Sequence, residues 1–296
     1  MSSAPFDNLL NFRDVAESVN KHAGREIMTP GLLYRSARPD DASPADRQRL
    51  VNEYGIKTII DLRTDSERLA QAEKHGSRNT ARDTAHPLDI PGIAYRCINF
   101  NGPAYSRALL KQLTWGQTAR FLTLYAFNDR ASAIAILGRS AIAPHGLLGL
   151  ATSTLTYSGA AIRALFTLLY APLPPTTPSP NPTYPILIHC TQGKDRTGLS
   201  ILLLLLLLHA PLSAIAADYA ASEAELLPEL NERLAQIRAM GLPDAFAHCE
   251  DGWTESLSQW LDERYGGVEA YLGSVGVRRA ECEWLRDALG VRGGGN

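Results

Sequence analysis

The feature of this sequence that most constrains its fold is an apolar tetrapeptide followed directly by a short polar loop and a long apolar run. Ile186–His189 predicts a buried strand, residues 190–198 predict a loop, and the leucine-rich residues 199–208 predict a helix. This order directs the backbone N–H groups of the loop and the positive end of the helix dipole toward one point. The sequence therefore predicts an anion-binding site between the strand and the helix.

The same apolar run bears on membrane association and location. It is about ten residues long, whereas a helix that spans a bilayer needs about 20, so we expect a helix buried behind a sheet and no stable membrane insertion. The N-terminal residues lack a basic region followed by an apolar one, which predicts no signal peptide. The four cysteines are far apart and form no Cys-x-x-Cys pair, which argues against a zinc site or a disulfide framework and favours a reducing, cytoplasmic location.

The rest of the chain alternates predicted strands and helices. Residues 31–39, 56–63 and 93–100 predict strands, and Ser43 followed by Pro44 predicts the start of a helix that runs through Tyr54. Residues 105–127 and 158–170 have helical patterns, whereas 131–160 have no assignable pattern. The order predicts an α/β fold with a central, mostly parallel sheet flanked by helices.

Two later segments complete this prediction. Residues 171–185 contain seven prolines and no charge, which predicts an extended loop. Residues 213–290 predict a helical C-terminal part that could form a lid over the site. We expect residues 1–296 to form a single domain with a helical C-terminal third.

Charge is distributed unevenly along the 296 residues, although the formal total is only −2. Residues 101–212 carry 8 basic and 2 acidic side chains, and residues 213–270 carry 3 basic and 12 acidic ones. The near-neutral total argues against a nucleic-acid partner bound by bulk positive charge. The local asymmetry instead favours a small anionic ligand.

The residue types in the loop predict a particular chemistry. Cys190 lies in the positive field at the start of the helix, which favours a nucleophilic thiolate. Arg196 can bind two oxygens of a tetrahedral dianion, Thr197 can donate its hydroxyl to the sulfur, and Gly193 permits tight curvature. We expect Thr191, Gln192, Gly193 and Lys194 to cradle a phosphate that the sulfur attacks, giving a phosphocysteine that water then hydrolyses. This mechanism needs no metal or other cofactor.

A Walker A loop is excluded, because Ile188 occupies the position of its first glycine and Asp195 follows Lys194. Residues 189–198 instead resemble the His-Cys-x5-Arg-Ser/Thr signature of the cysteine-based protein tyrosine phosphatases. The Gly-Lys-Asp-Arg-Thr-Gly variant is similar to that of an atypical branch with secreted mycobacterial and fungal members. Further similar blocks are Asn11-Phe12-Arg13-Asp14, residues 33–38, residues 59–63 with Glu67, Asp218-Tyr219 with Ser222, and residues 265–267 with Tyr271-Leu272.

The resemblance implies a phosphatase that acts on phosphotyrosine and also on phosphoserine, phosphothreonine or phosphoinositides. Phosphoinositide phosphatases carry a lysine at the position of Lys194, which would add a second cation for extra phosphates. Two alternatives remain open: a primarily phosphoinositide phosphatase, and a module that binds phosphate without catalysis. The expected partner is a phosphorylated protein or a phosphoinositide, and the oligomeric state stays open.

The leaving oxygen needs a general acid, and the sequence leaves few choices. Between residues 101 and 194 the single acidic residue is Asp129, and nothing resembles a Trp-Pro-Asp loop. The candidates are Asp195, Asp129 and the pair Asp61 and Asp65. Asp195 is favoured because it is nearest to the reacting centre, and the resemblance implies the same residue. Asp61, at the end of a strand, could instead pair with Lys194 or Arg196 and orient it in the substrate site.

Overall fold

The computed structural model describes residues 5–75, 89–170 and 184–291. Its five-stranded sheet has the order β1-β2-β5-β3-β4. The strands are β1 (Arg13–Asp14), β2 (Leu33–Ser36), β3 (Thr58–Asp61), β4 (Ala94–Cys97) and β5 (Ile186–His189). Among the strands of the described residues, only β1 pairs antiparallel with its neighbour, so the predicted mostly parallel sheet is confirmed.

The register of the parallel strands brings three chain segments together at one edge of the sheet. His189 at the end of β5 pairs with Ser36 of β2 on one side and with Asp61 of β3 on the other. The segments that follow all three strands therefore begin at the same level. In α/β sheets, this carboxyl edge is where ligands bind.

Helices cover both faces of the sheet and make up most of the rest of the described chain. Before β5 they are α1 (Val15–Ala23), α2 (Pro44–Asn52), α3 (Asp65–Lys74), α4 (Pro103–Leu110), α5 (Trp115–Ala126), α6 (Arg130–Leu137), α7 (Gly146–Tyr157) and α8 (Gly159–Leu169). After β5 they are α9 (Asp195–Leu207), α10 (Leu212–Glu225), α11 (Leu230–Ala239), α12 (Trp253–Tyr265), α13 (Val268–Ser274) and α14 (Arg279–Leu289). The predicted helical C-terminal third is thus confirmed.

Local sequence explains where the helices near the site begin. Ser43 and Thr64 each accept a hydrogen bond from a backbone N–H three residues later, and the acidic side chain at that later position returns the bond. These capping boxes start α2 and α3. The predicted helix at 105–127 is instead two helices, because Thr114 and Gln117 form another capping box that starts α5 after a break.

Alternate residues of the central strands supply the cores on the two faces of the sheet. Leu33, Ile60, Ile186 and Ile188 pack with α9 in the larger cluster, whereas Tyr34, Ile59 and Leu187 pack in the smaller one. Along α9, the leucines from Leu199 to Leu205 are all buried. This confirms the prediction of a helix buried behind the sheet. The predicted proline-rich loop falls mostly on residues 171–183, outside the described residues.

Candidate active site

Cys190 is the first residue after β5 and is only 2% exposed. It lies in the wall of a cavity of about 770 Å³, together with Thr191, Gln192, Asp195 and Arg196. The cavity opens at the carboxyl edge of the sheet, as the strand–loop–helix pattern predicted. Five of the predicted site residues are therefore brought together around one space.

Hydrogen-bond donors from the N-terminal part of the chain fix the backbone of the loop. The Asn11 side chain donates to the carbonyl of Gln192 at 2.8 Å, the Arg38 N–H to that of Thr191 at 3.1 Å, and the Arg35 guanidinium to that of Gly193 at 2.6 Å. These three backbone carbonyl groups are therefore already hydrogen-bonded within the protein. The N–H groups of residues 191–194 donate to no acceptor among the described residues, which leaves them for a bound anion.

Gly193 is required by the path of this loop. Its φ of +68° lies in the left-handed region, and a Cβ at this position would lie 2.1 Å from the carbonyl oxygen of Ser36. Any other residue would therefore both strain the backbone and push the loop away from β2. The predicted role of Gly193 in curvature is consistent with this geometry.

Beneath the loop, a buried carboxylate holds two arginines in place. Asp218 of α10 accepts hydrogen bonds from Arg35 and, at 2.8 Å, from the Nε of Arg13. Burial by itself would raise the pKa of Asp218, but the charges of Arg35 and Arg13 outweigh it and lower the pKa to about 2. Arg13 and Arg35 thus support the loop from below as salt-bridge partners.

Arg196 is oriented by a residue whose role the sequence analysis did not identify. Glu67 accepts from its two terminal nitrogens at 2.7 and 2.6 Å, and also from the hydroxyl of Thr191 at 2.7 Å. Burial opposes ionisation of Glu67, but the charge of Arg196 outweighs it and holds the pKa of Glu67 well below its usual range. The Nε of Arg196 makes no hydrogen bond among the described residues, so that edge of the guanidinium is left for a ligand.

The Thr64–Glu67 capping box was the signal that could have identified Glu67. It places Glu67 in the first turn of the helix that follows β3, and β3 is the neighbour of β5 in the sheet. The first turn of α3 therefore starts at the same edge as the Cys190 loop, within reach of Arg196.

The structure places Asp61 differently from the prediction. Asp61 does not pair with Lys194 or Arg196. Its carboxylate accepts from the backbone, Nε and Nη2 of Arg63, at 2.8 to 3.1 Å. Burial acts against ionisation of Asp61, but the charges of His189 and Arg63 and the hydrogen bonds of Arg63 lower its pKa to about 2. The reason is local: the chain turns at Leu62, which brings the guanidinium of Arg63 next to the carboxylate of Asp61.

Lys194 also departs from the prediction, because it is fully buried and does not line the cavity. Its ammonium donates to the Asp195 carboxylate and to the carbonyl of His248, both at 2.8 Å. Besides Arg196, four cations line the cavity: Arg38, Arg63 and Lys74, each of which is paired with a carboxylate, and Arg233 of α11. No ion pair or hydrogen bond of Arg233 occurs among the described residues, and its Nε is buried without a partner.

Of the carboxylates considered as the general acid, only Asp195 lines the Cys190 cavity. Its side chain is 26% exposed. Asp129 caps the exposed start of α6, and Asp65 is paired with Arg68 at the surface. Burial acts to raise the pKa of Asp195, but the adjacent Lys194 charge outweighs it and keeps the pKa below the ordinary value.

The remaining loop side chains are buried groups with unused polar atoms. The Thr197 hydroxyl and the side-chain Oε1 of Gln192 are buried and make no hydrogen bond among the described residues. The donation from Thr197 to the sulfur stays a prediction. His189 contacts the carbonyl of Cys190 through Nδ1 at 3.0 Å, and burial lowers the pKa of His189 below its ordinary value.

The cavity beyond the loop is mainly apolar. Helices α6, α7 and α11 and the segment that leads into α12 form its walls, which include Ile134, Ile142, Leu147, Leu150, Met240, Leu242, Phe246 and Trp253. The predicted covering of the site by C-terminal helices corresponds to α11. Within residues 5–75, 89–170 and 184–291, no group of three or more His, Cys, Asp or Glu side chains could hold a metal ion.

A cysteine at the end of a central parallel strand, with a loop arginine and free backbone donors around one cavity, defines the cysteine phosphatases as a class. The model of the tyrosine phosphatase family matches residues 4–290, so the chain belongs to the tyrosine phosphatase family. The resemblance of residues 189–198 to the family signature is thereby confirmed.

Two relatives identified by sequence agree with this family. The chain is 26% identical over 303 residues to the triple specificity protein phosphatase PtpB of Mycobacterium tuberculosis, covering 94% of this chain and 96% of that protein. It is 35% identical over 117 residues to a tyrosine-protein phosphatase of Nostoc commune, covering 36% of this chain and 40% of that protein. The core catalytic domain of the PP-IP phosphatase SIW14 from S. cerevisiae aligns with a TM-score of 0.33 and 14% identity, over 80% of this chain and 87% of that chain.

Proposed function

We propose that the enzyme hydrolyses phosphotyrosine through a phosphocysteine formed on Cys190. The observation that carries this proposal is the arrangement around the sulfur: free N–H groups of residues 191–194 and a guanidinium that Glu67 holds in place. Such preorganised donors stabilise the oxygens of a phosphoryl group as charge shifts during its transfer. They also need no reorganisation when the substrate arrives.

The first step forms the S–P bond and breaks the bond between phosphorus and the leaving oxygen. Asp195, in the cavity wall, donates a proton to that oxygen, so that the product leaves as a neutral alcohol or phenol. In the second step a water molecule attacks the phosphorus, gives a proton to the Asp195 carboxylate, and displaces the Cys190 thiolate as phosphate departs. Thr197 would donate its unpartnered hydroxyl to the thiolate at both stages.

A second substrate class is favoured by Arg233. This unpaired cation faces the same cavity as the loop, so a substrate with an additional phosphate could bind both groups at once. The relative named a triple specificity protein phosphatase supports breadth of this kind. We therefore include phosphoserine, phosphothreonine and phosphoinositides as substrates, with phosphoproteins or phosphoinositide lipids as the partners. A reducing location such as the cytoplasm would keep Cys190 as a thiol.

The test is turnover of a phosphotyrosyl peptide and a panel of phosphoinositides, with a chelator present throughout. Cys190→Ser should lower kcat by more than about a thousandfold while the Kd of the peptide stays within about threefold. Cys282→Ser, at another buried cysteine outside the cavity, is the matched control and should keep full turnover. Turnover retained by Cys190→Ser would contradict the mechanism. Tight peptide binding without turnover by the unaltered enzyme would favour the non-catalytic alternative.

A further inference from the structure

Helix α5 exposes an unusual amount of apolar and aromatic surface. None of its residues is buried. Trp115 is 93% exposed and Leu122 is 58% exposed, and at its C-terminal end Tyr125 and Phe127 are 55% and 82% exposed. Single exposed apolar residues are common on protein surfaces, but a contiguous group of large ones indicates a binding surface.

The exposed apolar residues of α5 lie on one face. Trp115, Ala119, Leu122 and Ala126 follow the spacing i, i+4, i+7, i+11, and all four are exposed. The partly buried residues, such as Phe121 and Leu124, lie on the opposite face, and α5 packs chiefly against α6. Helix α5 is therefore apolar on both faces, and its outer face has no partner among the described residues.

The chain segment that carries this face has an excess of positive charge. Residues 101–157 contain five basic side chains and one acidic one, although the whole chain has a net charge of −2. The five are exposed: Arg107, Lys111, Arg120, Arg130 and Arg139. Arg130 lies 5.7 Å from the ring centre of Tyr125, so cationic and aromatic groups are directly adjacent. Aromatic residues beside basic ones on a surface helix match the interfacial region of an anionic bilayer.

The geometry of this segment fits contact with a bilayer surface rather than passage through it. The run Arg130–Tyr157 is long and apolar enough to cross a membrane by length and composition alone. The run is divided into shorter helices: α6 has 8 residues and α7 has 12, and α7 begins at Gly146, whose φ is +64°. Each is shorter than the roughly 20 residues that a spanning helix needs. Leu147, Ala151 and Leu155 of α7 also pack in the core of the protein.

The helix that carries the exposed face packs against a helix that lines the active-site cavity. Ile134 of α6, the helix against which α5 packs, is half exposed and also lines the cavity that contains Cys190. One helix, α6, therefore separates α5 from the cavity. Contact at this surface would bring membrane-associated phosphate esters close to the loop.

We propose that the outer face of α5, with Phe127 and the flanking arginines, docks the enzyme onto bilayers that contain anionic phospholipids. We infer an anionic bilayer as the partner because the five basic residues complement its negative charge and the aromatic residues among them suit its interface. Docking of this kind is peripheral and reversible, since it combines a shallow apolar contact with electrostatic attraction. It is independent of the catalytic chemistry.

The test is co-sedimentation of the full chain with vesicles of phosphatidylcholine alone or with about 30% phosphatidylglycerol. Cys190→Ser is used in parallel, so that binding is measured separately from turnover. We expect binding to the anionic vesicles, little binding to the neutral ones, and release when NaCl is raised from about 0.1 M to about 1 M. Trp115→Ala/Phe127→Ala should weaken anionic binding by at least about tenfold.

Two controls separate docking from folding. The double variant should hydrolyse para-nitrophenyl phosphate like the unaltered enzyme, because neither residue lines the cavity. Leu212→Ala/Leu227→Ala removes two exposed leucines outside the α5 face and should bind vesicles normally. Equal binding to neutral and anionic vesicles would overturn the proposal. So would a dimer in light scattering that the Trp115/Phe127 variant abolishes, together with no vesicle binding.

Discussion

The signature loop and the helices inserted between β4 and β5 are built on opposite principles. Around the loop, the charged groups are buried or partly buried, and they are paired: Asp218 with Arg13 and Arg35, Glu67 with Arg196, and Asp195 with Lys194. Helix α5 of the insert has no buried residue and presents aromatic groups to solvent. The comparison indicates that the paired charges position the reacting atoms, whereas the inserted helices determine which surfaces and substrates the enzyme binds.

This contrast is tested most strongly by Asp195→Asn. Loss of the acid should reduce kcat by about a hundredfold or more for phenyl phosphate, whose leaving group is poor, and far less for para-nitrophenyl phosphate. The protonated fraction of Asp195 falls as pH rises, and kcat/KM should fall with it. Because Lys194 lowers the pKa of Asp195, this fall should lie at acidic pH. The variant should lose that dependence.

Asp129→Asn is the matched control for the acid, since Asp129 caps the exposed start of α6 and does not line the cavity. Its kinetics should equal those of the unaltered enzyme for both substrates. An equal loss for good and poor leaving groups in Asp195→Asn would remove Asp195 from the acid's role.

Glu67→Gln should give the next largest effect. The amide keeps the size of the side chain but loses the charge that orients Arg196, and a hydrogen bond to a charged group is worth about 1.5–3 kcal/mol. We expect kcat/KM for para-nitrophenyl phosphate to fall about ten- to a hundredfold. Glu232→Gln removes an exposed cavity-lining carboxylate that does not bind Arg196, and it should change kcat/KM much less. An unchanged kcat/KM in Glu67→Gln would show that Arg196 does not depend on the Glu67 carboxylate for its position in catalysis.

Arg233→Gln tests whether the helices around the cavity select the substrate rather than perform the chemistry. Without this cation, kcat/KM for an inositol lipid with two or more phosphates should fall about tenfold, and that for para-nitrophenyl phosphate should stay within about twofold. Arg238→Gln on the same helix, paired with Asp244 at the surface, should change neither value. A parallel loss for both substrates would place Arg233 in the reaction itself.

The last expected effect is on the stability of the fold rather than on turnover. The pKa of Asp218 is about 2 in the folded chain and about 3.9 when unfolded, so its stabilising contribution is present above pH 4 and is lost as pH falls toward 2. A shift of that size corresponds to about 2.6 kcal/mol. Urea unfolding at pH 7 and at about pH 3 should show a decrease. Asp218→Asn should show a smaller decrease, whereas the exposed Asp244→Asn should behave like the unaltered chain.

The parts of the molecule that could be predicted are those that depend on residues close together in the sequence. The strand Ile186–His189, the buried leucine helix and the clustering of Cys190, Asp195 and Arg196 follow from a continuous segment. Glu67 was within reach of the same reasoning, because its capping box lies directly after β3.

The remaining site features depend on side-chain directions and on distant segments. Lys194 lies inside the signature, yet its ammonium turns away to the carbonyl of His248, 54 residues later. Arg233 reaches the cavity only because α10 and α11 return over the carboxyl edge of the sheet. The exposed face of α5 was not predicted either, because an apolar helical pattern does not show whether a partner covers it.

The most direct test of the central claim is to find the phosphoryl group on the enzyme. The chain is mixed with excess para-nitrophenyl phosphate, quenched within milliseconds, and its peptides are analysed by mass spectrometry. We expect phosphate on Cys190 in the unaltered enzyme and none in Cys190→Ser. Rapid turnover with no phosphorylated Cys190 at any quench time, or with phosphate on a different residue, would contradict it.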